Sequence, residues 1–462
     1  MKLIHTTSWY FPDSSGGVEV YLDSLLHGLQ VHGLESIVAA PQQGTEEDTY
    51  EHNGISVYRY PVFPNPSKIQ VHKQLPHGGF KTFANWLENN RADVYHQHSW
   101  RFDCGLHHLA LARQLGMATV VTVHIPEPIC LRGTMMRWDK EPCDGLIDSV
   151  NCSQCLGVPK QVAPSMLKAL SRVPLDVGVA AETKLLTSKS FKLRLLGKTL
   201  GIPTLVSQHR RNLMQLAKLA DRIVVTSNWQ YNAFVANNVP PEKLTVSRQG
   251  VANSFKREIT PNKLQNSTLK IGFLGRWQET KGVQVLVEAV HSLPNDVPVE
   301  LIIHATHPGK YGAANREKVM AIAARDSRIR IAEPLSREAV PDALAGFDIL
   351  AIPSQWLETG PIVALEAQAM GIPVLGSNLG GIAELVRHGI DGWLVPAKDV
   401  EAWAEAIATL AKDADLLAKL RQGIQLVRTM DTVASEMLAL YHEILKIPQK
   451  TLYLDGLTPN LL

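Results

Sequence analysis

The feature that most constrains the fold is a regular alternation of short apolar runs and amphipathic segments in the second half of the chain. Apolar runs such as 269–276 and 299–306 are each followed by a segment with helical periodicity, such as 281–293 and 316–326. Strands that are apolar throughout belong to parallel sheets covered on both faces. Because the connecting crossovers are right-handed, the pattern predicts a doubly wound α/β domain over 269–430.

The first half of the chain repeats this pattern less regularly. Its candidate strands lie at 2–9, 35–41, 93–100, 118–125, 222–227 and 244–250. We expect an N-terminal domain over 1–252, with an insertion at 126–205, and then a polar linker at 253–268. A helix at 431–446 can pack back on the first domain, and a tail follows at 447–462. A length of 462 residues suits two domains. Doubly wound domains bind ligands beyond the carboxyl ends of their strands, so we expect a site in the cleft between two facing domains.

The composition restricts the class of protein. A hydrophobic fraction of 45% and a charged fraction of 19% are typical of a globular domain. A net charge of +2 gives no reason to expect a nucleic-acid partner. The N-terminus resembles no signal peptide, and no run of 18 apolar residues predicts a transmembrane helix. We expect a cytoplasmic protein, and peripheral contact with the inner face of a membrane stays open.

Two glutamates in the second half have the spacing of a binding site. Glu358 follows the candidate strand 348–353, and Glu366 comes eight residues later on a helix that Gly360 and Pro361 open. The N-terminus of a helix offers free N–H groups to an anion. A carboxylate can accept hydrogen bonds from two neighbouring hydroxyls of a ribose or a sugar. Either glutamate alone would more often be a surface residue, but their combination with the next two features favours a site.

The other two features supply groups for a phosphate. Gly380 and Gly381 lie between a strand and a helix, where the missing Cβ lets backbone N–H groups, including that of Ile382, approach a phosphate. Arg276 ends a strand, and Lys281 lies at a helix start, where a cation opposes the helix dipole. Two cations on one loop can neutralise a departing nucleoside diphosphate. Taken singly, the glycine pair is more often an ordinary turn, and the two cations are as often a solvated charge pair.

Together these residues resemble the family 4 retaining glycosyltransferases of the GT-B fold. The resemblance covers about residues 3–445. It is strongest in the two glutamates followed by GGIAELV, and it extends to FLGRWQETKG, GGVEVYLDSLLHGLQVHG, DVYHQH, VTVH and ADRIVVTSNW. It implies two Rossmann-like domains that face each other across a cleft. It also implies a nucleotide-sugar donor with uridine, guanosine or adenosine as its nucleoside.

The resemblance assigns a role to each matching residue of the second half. Arg276 and Lys281 would bind the donor diphosphate, and Glu366 would hold the ribose of the nucleotide. Glu358 would lie beside the transferred sugar as a catalytic residue. The loop around Leu335 would lie near the base.

In the first half, Gly16 and Gly17 match the Gly-rich loop near the donor phosphate and the acceptor. The alternative explanation of the two glycines is a flexible turn. His124 matches a histidine that contacts the sugar at the reaction centre, whereas a buried core histidine is the alternative. Ile125 stands where the family often has Asp, so no role of that Asp is carried over.

The resemblance also implies a reaction with retention, by front-face attack on an oxocarbenium-like centre, in which the leaving phosphate takes the acceptor proton. No Asp-x-Asp motif ends a strand, so we expect catalysis without a metal cofactor. The acceptor would be a glycan, a lipid-linked sugar or a small molecule in polysaccharide or glycoconjugate biosynthesis. The alternatives are a GT-B-fold sugar-nucleotide epimerase or phosphorylase, and a non-catalytic binding protein organised by a cysteine site.

Four of the five cysteines lie close together in the insertion, at Cys130, Cys143, Cys152 and Cys155. Four thiolates can bind one tetrahedral Zn²⁺, and a loop-rich insertion with little core of its own can gain its order from a metal. The spacing is not that of two C-x-x-C knuckles. Structural zinc, free or redox-active thiols and disulfides therefore all stay open.

A basic segment follows the cysteines. Between Lys160 and Arg222 the chain has 12 Lys and Arg but 3 Asp and Glu. This segment could contact a lipid-diphosphate acceptor or an anionic membrane, and a solvated helical face explains it equally well. We expect His209, Arg210 and Arg211 on the acceptor side.

Overall fold

The computed structural model describes residues 1–14, 16–255, 268–306 and 309–446. The predicted linker at 253–268 lies largely outside the described residues, and the predicted tail at 447–462 lies entirely outside them. The chain divides into two compact units. Unit 1 contains Met1–Ser247 and the described residues from Val433 onward, and unit 2 contains Arg248–Thr432. The first boundary therefore falls after Ser247 rather than after residue 252.

Unit 1 contains the first ten strands of the chain. They are β1 (Lys2–Thr6), β2 (Glu35–Gln43), β3 (Asp48–His52), β4 (Ile55–Val62), β5 (Val94–Gln97), β6 (Ala118–Val123), β7 (Met136–Arg137), β8 (Glu141–Pro142), β9 (Arg222–Val225) and β10 (Leu244–Val246). Its helices are α1 (Gly17–Val31), α2 (Lys68–Val71), α3 (Phe80–Asn89), α4 (Leu106–Gln114), α5 (Asn151–Cys155), α6 (Pro164–Leu170), α7 (Leu175–Leu186), α8 (Phe191–Leu219) and α9 (Asn228–Ala236).

The main sheet of unit 1 has eight strands in the order β10-β9-β6-β5-β1-β2-β4-β3. All neighbours are parallel except β3 and β4. The chain builds outward from β1 in one direction through β2 and β4, and in the other through β5, β6, β9 and β10. The order thus reverses between β1 and β5, and ligands of doubly wound sheets bind at such a reversal.

Unit 2 has six strands: β11 (Leu269–Arg276), β12 (Val299–Thr306), β13 (Ile329–Ala332), β14 (Ile349–Ile352), β15 (Val374–Ser377) and β16 (Gly392–Val395). Its helices are α10 (Val283–Ser292), α11 (Gly309–Ala323), α12 (Val340–Ala345), α13 (Ile362–Ala369), α14 (Gly380–Leu385), α15 (Val400–Lys412) and α16 (Ala414–Gly423). The strand order is β13-β12-β11-β14-β15-β16, and all neighbours are parallel. This order reverses between β11 and β14.

The core of unit 2 shows why the apolar runs form these strands. Ile271, Leu301, Ile349 and Leu375 lie on four neighbouring strands and are fully buried. They belong to one cluster with Trp403 of α15, which is also fully buried. Continuous burial removes apolar surface on both faces of the sheet, at about 25 cal/mol per Å². The predicted fold class of two doubly wound α/β domains is confirmed.

The insertion after β6 is more ordered than a loop. It contains the β7–β8 hairpin and helices α5, α6 and α7, and it continues into the 29 residues of α8. Helices α7 and α8 approach closely because Gly178 carries no side chain: a Cβ there would lie 2.2 Å from Thr204 Oγ1. The prediction of a loop-rich segment was wrong from residue 164 onward, since helix packing supplies its order.

The last described helix, α17 (Met430–Leu445), packs on the sheet of unit 1. The hydroxyl of Tyr441 lies 2.6 Å from His96 Nδ1, and Ser247 donates to Glu436 at 2.9 Å. Glu443 pairs with Arg222. Of the helices in the described ranges, none combines the length and the hydropathy needed to span a bilayer.

Candidate active site

The reversal point of unit 2 brings together the loops that follow β11 and β14. Arg276 ends β11 with an exposed side chain. The chain then forms the 3₁₀ turn Glu279–Lys281 and passes through Gly282, whose φ is 75°. A Cβ on Gly282 would lie 1.7 Å from the carbonyl oxygen of Pro353, so only glycine permits this contact. The contact places Lys281 beside the loop that follows β14.

Glu358 in that loop is a buried carboxylate held by three donors. Its Oε1 atom accepts from Lys281 Nζ at 2.6 Å, from Ser354 Oγ at 2.8 Å and from Trp356 Nε1 at 2.8 Å. Lys281 Nζ also lies 5.4 Å from the centre of the Trp356 ring. The predicted diphosphate cation and the predicted sugar carboxylate thus form one ion pair. The sequence reasoning missed Ser354 and Trp356, although both lie in the same short segment as Glu358.

Glu366 has a different environment on α13. Its side chain is fully buried, and Arg337 Nη1 lies 2.5 Å from Oε1. Among the described residues, no group donates a hydrogen bond to Oε2. Burial raises the pKa of Glu366, and the charge of Arg337 opposes that rise. A buried carboxylate oxygen without a donor is costly, so the site favours a ligand that brings hydroxyl donors.

Arg337 was not predicted from the sequence. It begins the 3₁₀ turn Arg337–Ala339, two residues after the half-buried Leu335, and its guanidinium carbon lies 4.8 Å from the ring centre of Phe255. No local pattern marks it, because its partner Glu366 lies on another element. The loop around Leu335, which was predicted to lie near the base, therefore leads directly to Arg337, the ion-pair partner of Glu366.

Gly380 and Gly381 serve the packing of two loops. A Cβ on Gly381 would lie 2.6 Å from the amide nitrogen of Gly360, and the Gly381 amide donates to the Glu358 carbonyl at 2.6 Å. The amide of Ile382 donates to the carbonyl of Leu379 at 3.2 Å. Two of the three amides predicted to cradle a phosphate are thus occupied by contacts within unit 2.

Gly360 adopts a φ of 138°, a conformation that favours glycine. It turns the chain from the Glu358 loop into α13. Pro361 is the N-cap of that helix, which begins at Ile362. The predicted opening of the helix at Pro361 was therefore early by one residue.

In unit 1, His124 follows β6 and is buried. Its ring centre lies 4.7 Å from that of Tyr21 in an edge-on contact, and its Nε2 lies 3.1 Å from His98 Nδ1. His98 Nε2 in turn lies 3.1 Å from His5 Nδ1. Burial lowers the pKa of His124 to about 3, so the imidazole is neutral at physiological pH. The sequence reasoning did not find His5 and Tyr21, which reach His124 from β1 and α1.

His5, His96 and His98 are the one group in the described ranges whose three metal-ligating atoms lie within 4.8 Å of one another. The protein itself accounts for this geometry. His96 Nδ1 lies 2.6 Å from the Tyr441 hydroxyl, and His96 Nε2 lies 2.7 Å from Thr122 Oγ1. His5 and His98 bond to each other. The cluster is therefore a hydrogen-bonded network of neutral rings.

Gly16 and Gly17 lie in the connection that follows β1, beside the reversal point of the main sheet. Gly16 is the N-cap of α1, and Gly17 is its first residue. Buried Glu19 in the first turn accepts a hydrogen bond from Ser14 at 2.8 Å. The predicted Gly-rich loop is thus the entrance to a helix.

The predicted acceptor-side residues on α8 diverge. His209 is buried and lines a cavity that also contains the insertion cysteines. Arg210 and Arg211 are exposed, and Arg211 donates to Gln208 Oε1 of its own helix at 2.8 Å. The structure does not bring these three side chains to one point.

A mixed charge cluster that the sequence reasoning missed lies beyond the ends of β1, β5 and β6. The guanidinium carbon of Arg101 lies 4.4 Å from the ring centre of Trp9, which is 46% exposed. Lys73 Nζ lies 5.5 Å from the ring centre of Trp100. Burial lowers the pKa of Lys73 to about 8, and Glu127 opposes this. Nearby Asp103 accepts from Ser8 Oγ at 2.9 Å.

Two family profiles match this chain. The profile described as Glycosyl transferases group 1 matches residues 268–413, and the one described as Glycosyl transferase 4-like domain matches residues 16–151. The chain belongs to the group 1 glycosyltransferases. The two matches together cover about three fifths of its length. The resemblance inferred from the sequence is therefore confirmed, and the first match contains Arg276, Lys281, Glu358 and Glu366.

Curated relatives of this glycosyltransferase family member include two proteins named D-inositol 3-phosphate glycosyltransferase. The one from Corynebacterium urealyticum is 29% identical over 228 residues, 47% of this chain and 52% of the relative. The one from Corynebacterium jeikeium is 37% identical over 187 residues, 38% of this chain and 44% of the relative. The match thus spans about half the length of these relatives.

Solved structures share the fold across the whole chain. Sucrose-phosphate synthase from Thermosynechococcus elongatus has a TM-score of 0.64 at 17% identity, with 96% of this chain and 99% of that chain covered. Anabaena HepE in complex with UDP and glucose has a TM-score of 0.58 at 15% identity, with 96% and 98% covered. These similarities establish the GT-B fold of this family member.

Proposed function

We propose that this chain transfers a sugar from a nucleotide-sugar donor, with retention of configuration, and that unit 2 binds the donor. The observation that carries the proposal is Glu366. It is fully buried, its Oε2 has no donor among the described residues, and it lies on α13, the helix that follows Glu358. A ribose offers two adjacent hydroxyls, which are the donors that such a carboxylate lacks.

The charged residues near Glu366 divide the remaining work. Arg276 and Lys281 supply positive charge for the diphosphate as it departs. Ser354 and Trp356 fix the Glu358 carboxylate in one orientation, where it can accept hydrogen bonds from the transferred sugar. Glu358 also holds Lys281 in place before the donor arrives. We propose that positioning and electrostatic stabilisation carry the reaction without a divalent metal, so turnover persists when Mg²⁺ is omitted.

The donor nucleotide is proposed from the solved structures of the same fold. Anabaena HepE has been solved with UDP-glucose, and starch synthase IV from Arabidopsis thaliana with ADP and acarbose. We take a UDP-hexose as the donor, with an ADP-hexose as the main competitor. Both nucleotides carry the ribose and diphosphate for which Glu366, Arg276 and Lys281 are suited.

The acceptor is proposed from the relatives' name and from the charge cluster of unit 1. The relatives are named for a phosphorylated inositol. Trp9 offers an exposed aromatic face to a ring, and Arg101 and Lys73 offer positive charge beside it. We propose that an acceptor with an anionic group and several hydroxyls binds at these residues.

Donor binding tests the proposal most directly. Thermal shifts of the wild-type chain with UDP, ADP and GDP should show stabilisation by UDP, because a ligand of the native state raises its stability. Glu366→Gln should weaken UDP binding by roughly tenfold or more, since a hydrogen bond to a charged group contributes about 1.5–3 kcal/mol.

Glu288→Gln is the matched control, because Glu288 is an exposed residue of α10 in the same unit. Its UDP affinity should equal that of the wild type. Equal UDP affinity for Glu366→Gln and Glu288→Gln would show that Glu366 does not hold the ribose. No stabilisation by any of the three nucleotides would contradict the donor site itself.

A further inference from the structure

Four cysteines of the insertion line a single cavity of unit 1. Cys130 follows the loop after β6, Cys143 follows the β7–β8 hairpin, and Cys152 and Cys155 lie on α5. All four are free thiols. Three separate pieces of chain thus deliver sulphur atoms to one place. Cys104, the fifth cysteine, is buried elsewhere and does not line this cavity.

His209 of α8 also lines the cavity, and its buried Nε2 has no hydrogen-bond partner among the described residues. The sulphur of Cys155 accepts a hydrogen bond from the Trp138 amide at 3.3 Å. Backbone donors to sulphur stabilise thiolates and orient them toward a metal.

The charges around the cavity suit a thiolate site. Four thiolates and one divalent cation have a net charge of −2, and Arg132 and Arg137 both line the cavity. Arg132 also donates to the carbonyl oxygen of Cys155 at 3.1 Å, which ties the first loop to α5. Each guanidinium also pairs with a carboxylate, Arg132 with Asp139 and Arg137 with Asp144 at 3.6 Å, so the two arginines offset only part of the negative charge.

We propose that Cys130, Cys143, Cys152 and Cys155 bind a thiophilic divalent metal ion, Zn²⁺ in the cell, that fastens the loop after β6, the end of the β7–β8 hairpin and α5 to one another. Four thiolates fill a tetrahedral coordination sphere, so the ion has no open position for a substrate and its role is structural. Within the described residues, no three of the four sulphur atoms lie within 4.8 Å of one another. Metal binding therefore draws the three pieces of chain together and makes the insertion more rigid.

The chemistry distinguishes this site from a redox pair. Formation of a disulfide joins two sulphur atoms and releases two protons and two electrons to an oxidant, so it would lower the mass of the chain by two hydrogens per bond. Binding of Zn²⁺ releases thiol protons and involves no oxidant. The two outcomes therefore differ in metal content and in mass.

The first experiment measures the metal content of the full chain purified without chelators. We expect one zinc per chain in the wild type and in Cys104→Ala, which removes the cysteine outside the cavity. Cys143→Ser and Cys152→Ser should each lose the zinc. His209→Gln should keep it, because the thiolates and not the imidazole are the ligands.

A second experiment does not depend on the folding of any variant. Wild-type chain, stripped of metal at low pH and refolded with Co²⁺, should show intense sulphur-to-cobalt charge-transfer absorption and the visible bands of tetrahedral cobalt. Absence of zinc from the purified wild type, together with absence of that spectrum, would overturn the proposal. A chain mass reduced by two or four hydrogens would overturn it in favour of disulfides.

Discussion

Glu358 and Glu366 are carboxylates of the same unit, but their surroundings give them different chemistry. Glu358 is satisfied by Lys281, Ser354 and Trp356, all of which donate to Oε1. Glu366 has one cation, Arg337, and an oxygen without a donor among the described residues. A carboxylate whose oxygen accepts three hydrogen bonds is held in one orientation, whereas a buried carboxylate oxygen without a donor suits a ligand that supplies one.

In the proposed acceptor site, Arg101 combines a positive charge with a stacking contact on Trp9. Arg101→Ala should raise the KM for an anionic acceptor by roughly tenfold, the effect of losing about 1.4 kcal/mol of charge-assisted contact. Donor hydrolysis and UDP affinity should stay unchanged, since Arg101 lies on the other unit from Glu366. Initial rates at saturating donor measure this KM.

Arg91→Ala serves as the control, because Arg91 is an exposed residue of the same unit. An unchanged acceptor KM in Arg101→Ala would remove the charge cluster from the acceptor site.

At the scale of elements, the proposed donor site depends on the packing of the loops after β11, β14 and β15. Gly381 has no Cβ where one would lie 2.7 Å from the Glu358 carbonyl oxygen, and Gly282 has none where one would meet Pro353. Close packing of loops from β11, β14 and β15 therefore needs glycine at both places. These glycines place the charged side chains even where their own amides are occupied.

Gly381→Ala should therefore separate the Glu358 loop from α14. Overpacking of this kind costs about 1–3 kcal/mol, and the free energy of unfolding in urea should fall by that amount. UDP affinity should fall as well, because the loop that carries Glu358 leads directly into α13.

The comparison for this variant is Gly346→Ala, where the nearest heavy atom would lie 3.3 Å from the new Cβ. Its stability and UDP affinity should stay near the wild-type values. Equal stability of the two variants would show that the loop contact at Gly381 can accommodate a methyl group.

The start of α8 is the part of the basic segment that suits a membrane surface. Phe191, Leu193 and Leu196 are 69%, 42% and 46% exposed, and the cations Lys189, Lys192, Arg194 and Lys198 are exposed around them. Exposed apolar side chains among cations are typical of interfacial helices. We propose that this segment contacts an anionic membrane, as the sequence analysis left open.

We expect the chain to sediment with vesicles that contain phosphatidylglycerol and not with pure phosphatidylcholine. Each lysine or arginine near an anionic surface contributes about 1 kcal/mol, so Lys192→Glu with Arg194→Glu should abolish the binding. Val31→Ser, which alters an 86% exposed residue at the end of α1, should bind as the wild type does. Equal sedimentation with both lipids would contradict the proposal.

At the scale of the whole molecule, the buried imidazoles of unit 1 link stability to pH. Burial lowers the pKa of His5 and of His124 to about 3, and it lowers the pKa of His96 and His98 well below 6.5. In the unfolded chain these groups titrate near 6.5. Below that pH the unfolded state binds protons that the native state does not, so stability is fully present above pH 6.5 and is lost as pH falls.

We therefore expect the free energy of unfolding in urea to fall steadily from pH 6.5 to pH 5. The slope approaches about 1.4 kcal/mol per pH unit for each imidazole. Burial raises the pKa of Glu127 and of Glu366, which acts in the opposite direction, but the four histidines outnumber them. His5→Gln should reduce the slope by about 1.4 kcal/mol per pH unit, the contribution of one proton. A free energy of unfolding that does not change with pH in the wild type would contradict this expectation.

The fold class and four charged residues of the proposed donor site were predicted from the sequence alone. Apolar runs such as 269–276 can be buried only in a covered parallel sheet. Because this requirement is local, it can be recognised from the sequence. The same holds for the proposed donor motif, since Arg276, Lys281, Glu358 and Glu366 all follow or flank predicted strands. The length of α8 could not be predicted from the sequence, because this helix depends on packing against α7 at Gly178.

The pairing of side chains was decided only by the tertiary structure. Lys281 and Glu358 are 77 residues apart, and His5 and His98 are 93 apart, yet each pair is in contact. The order of strands in each sheet determines these contacts, and local periodicity does not encode which strands are neighbours. For the same reason, the sequence left zinc, free thiols and disulfides open for the four cysteines, while the fold brings them to one cavity, on which the proposed metal site rests.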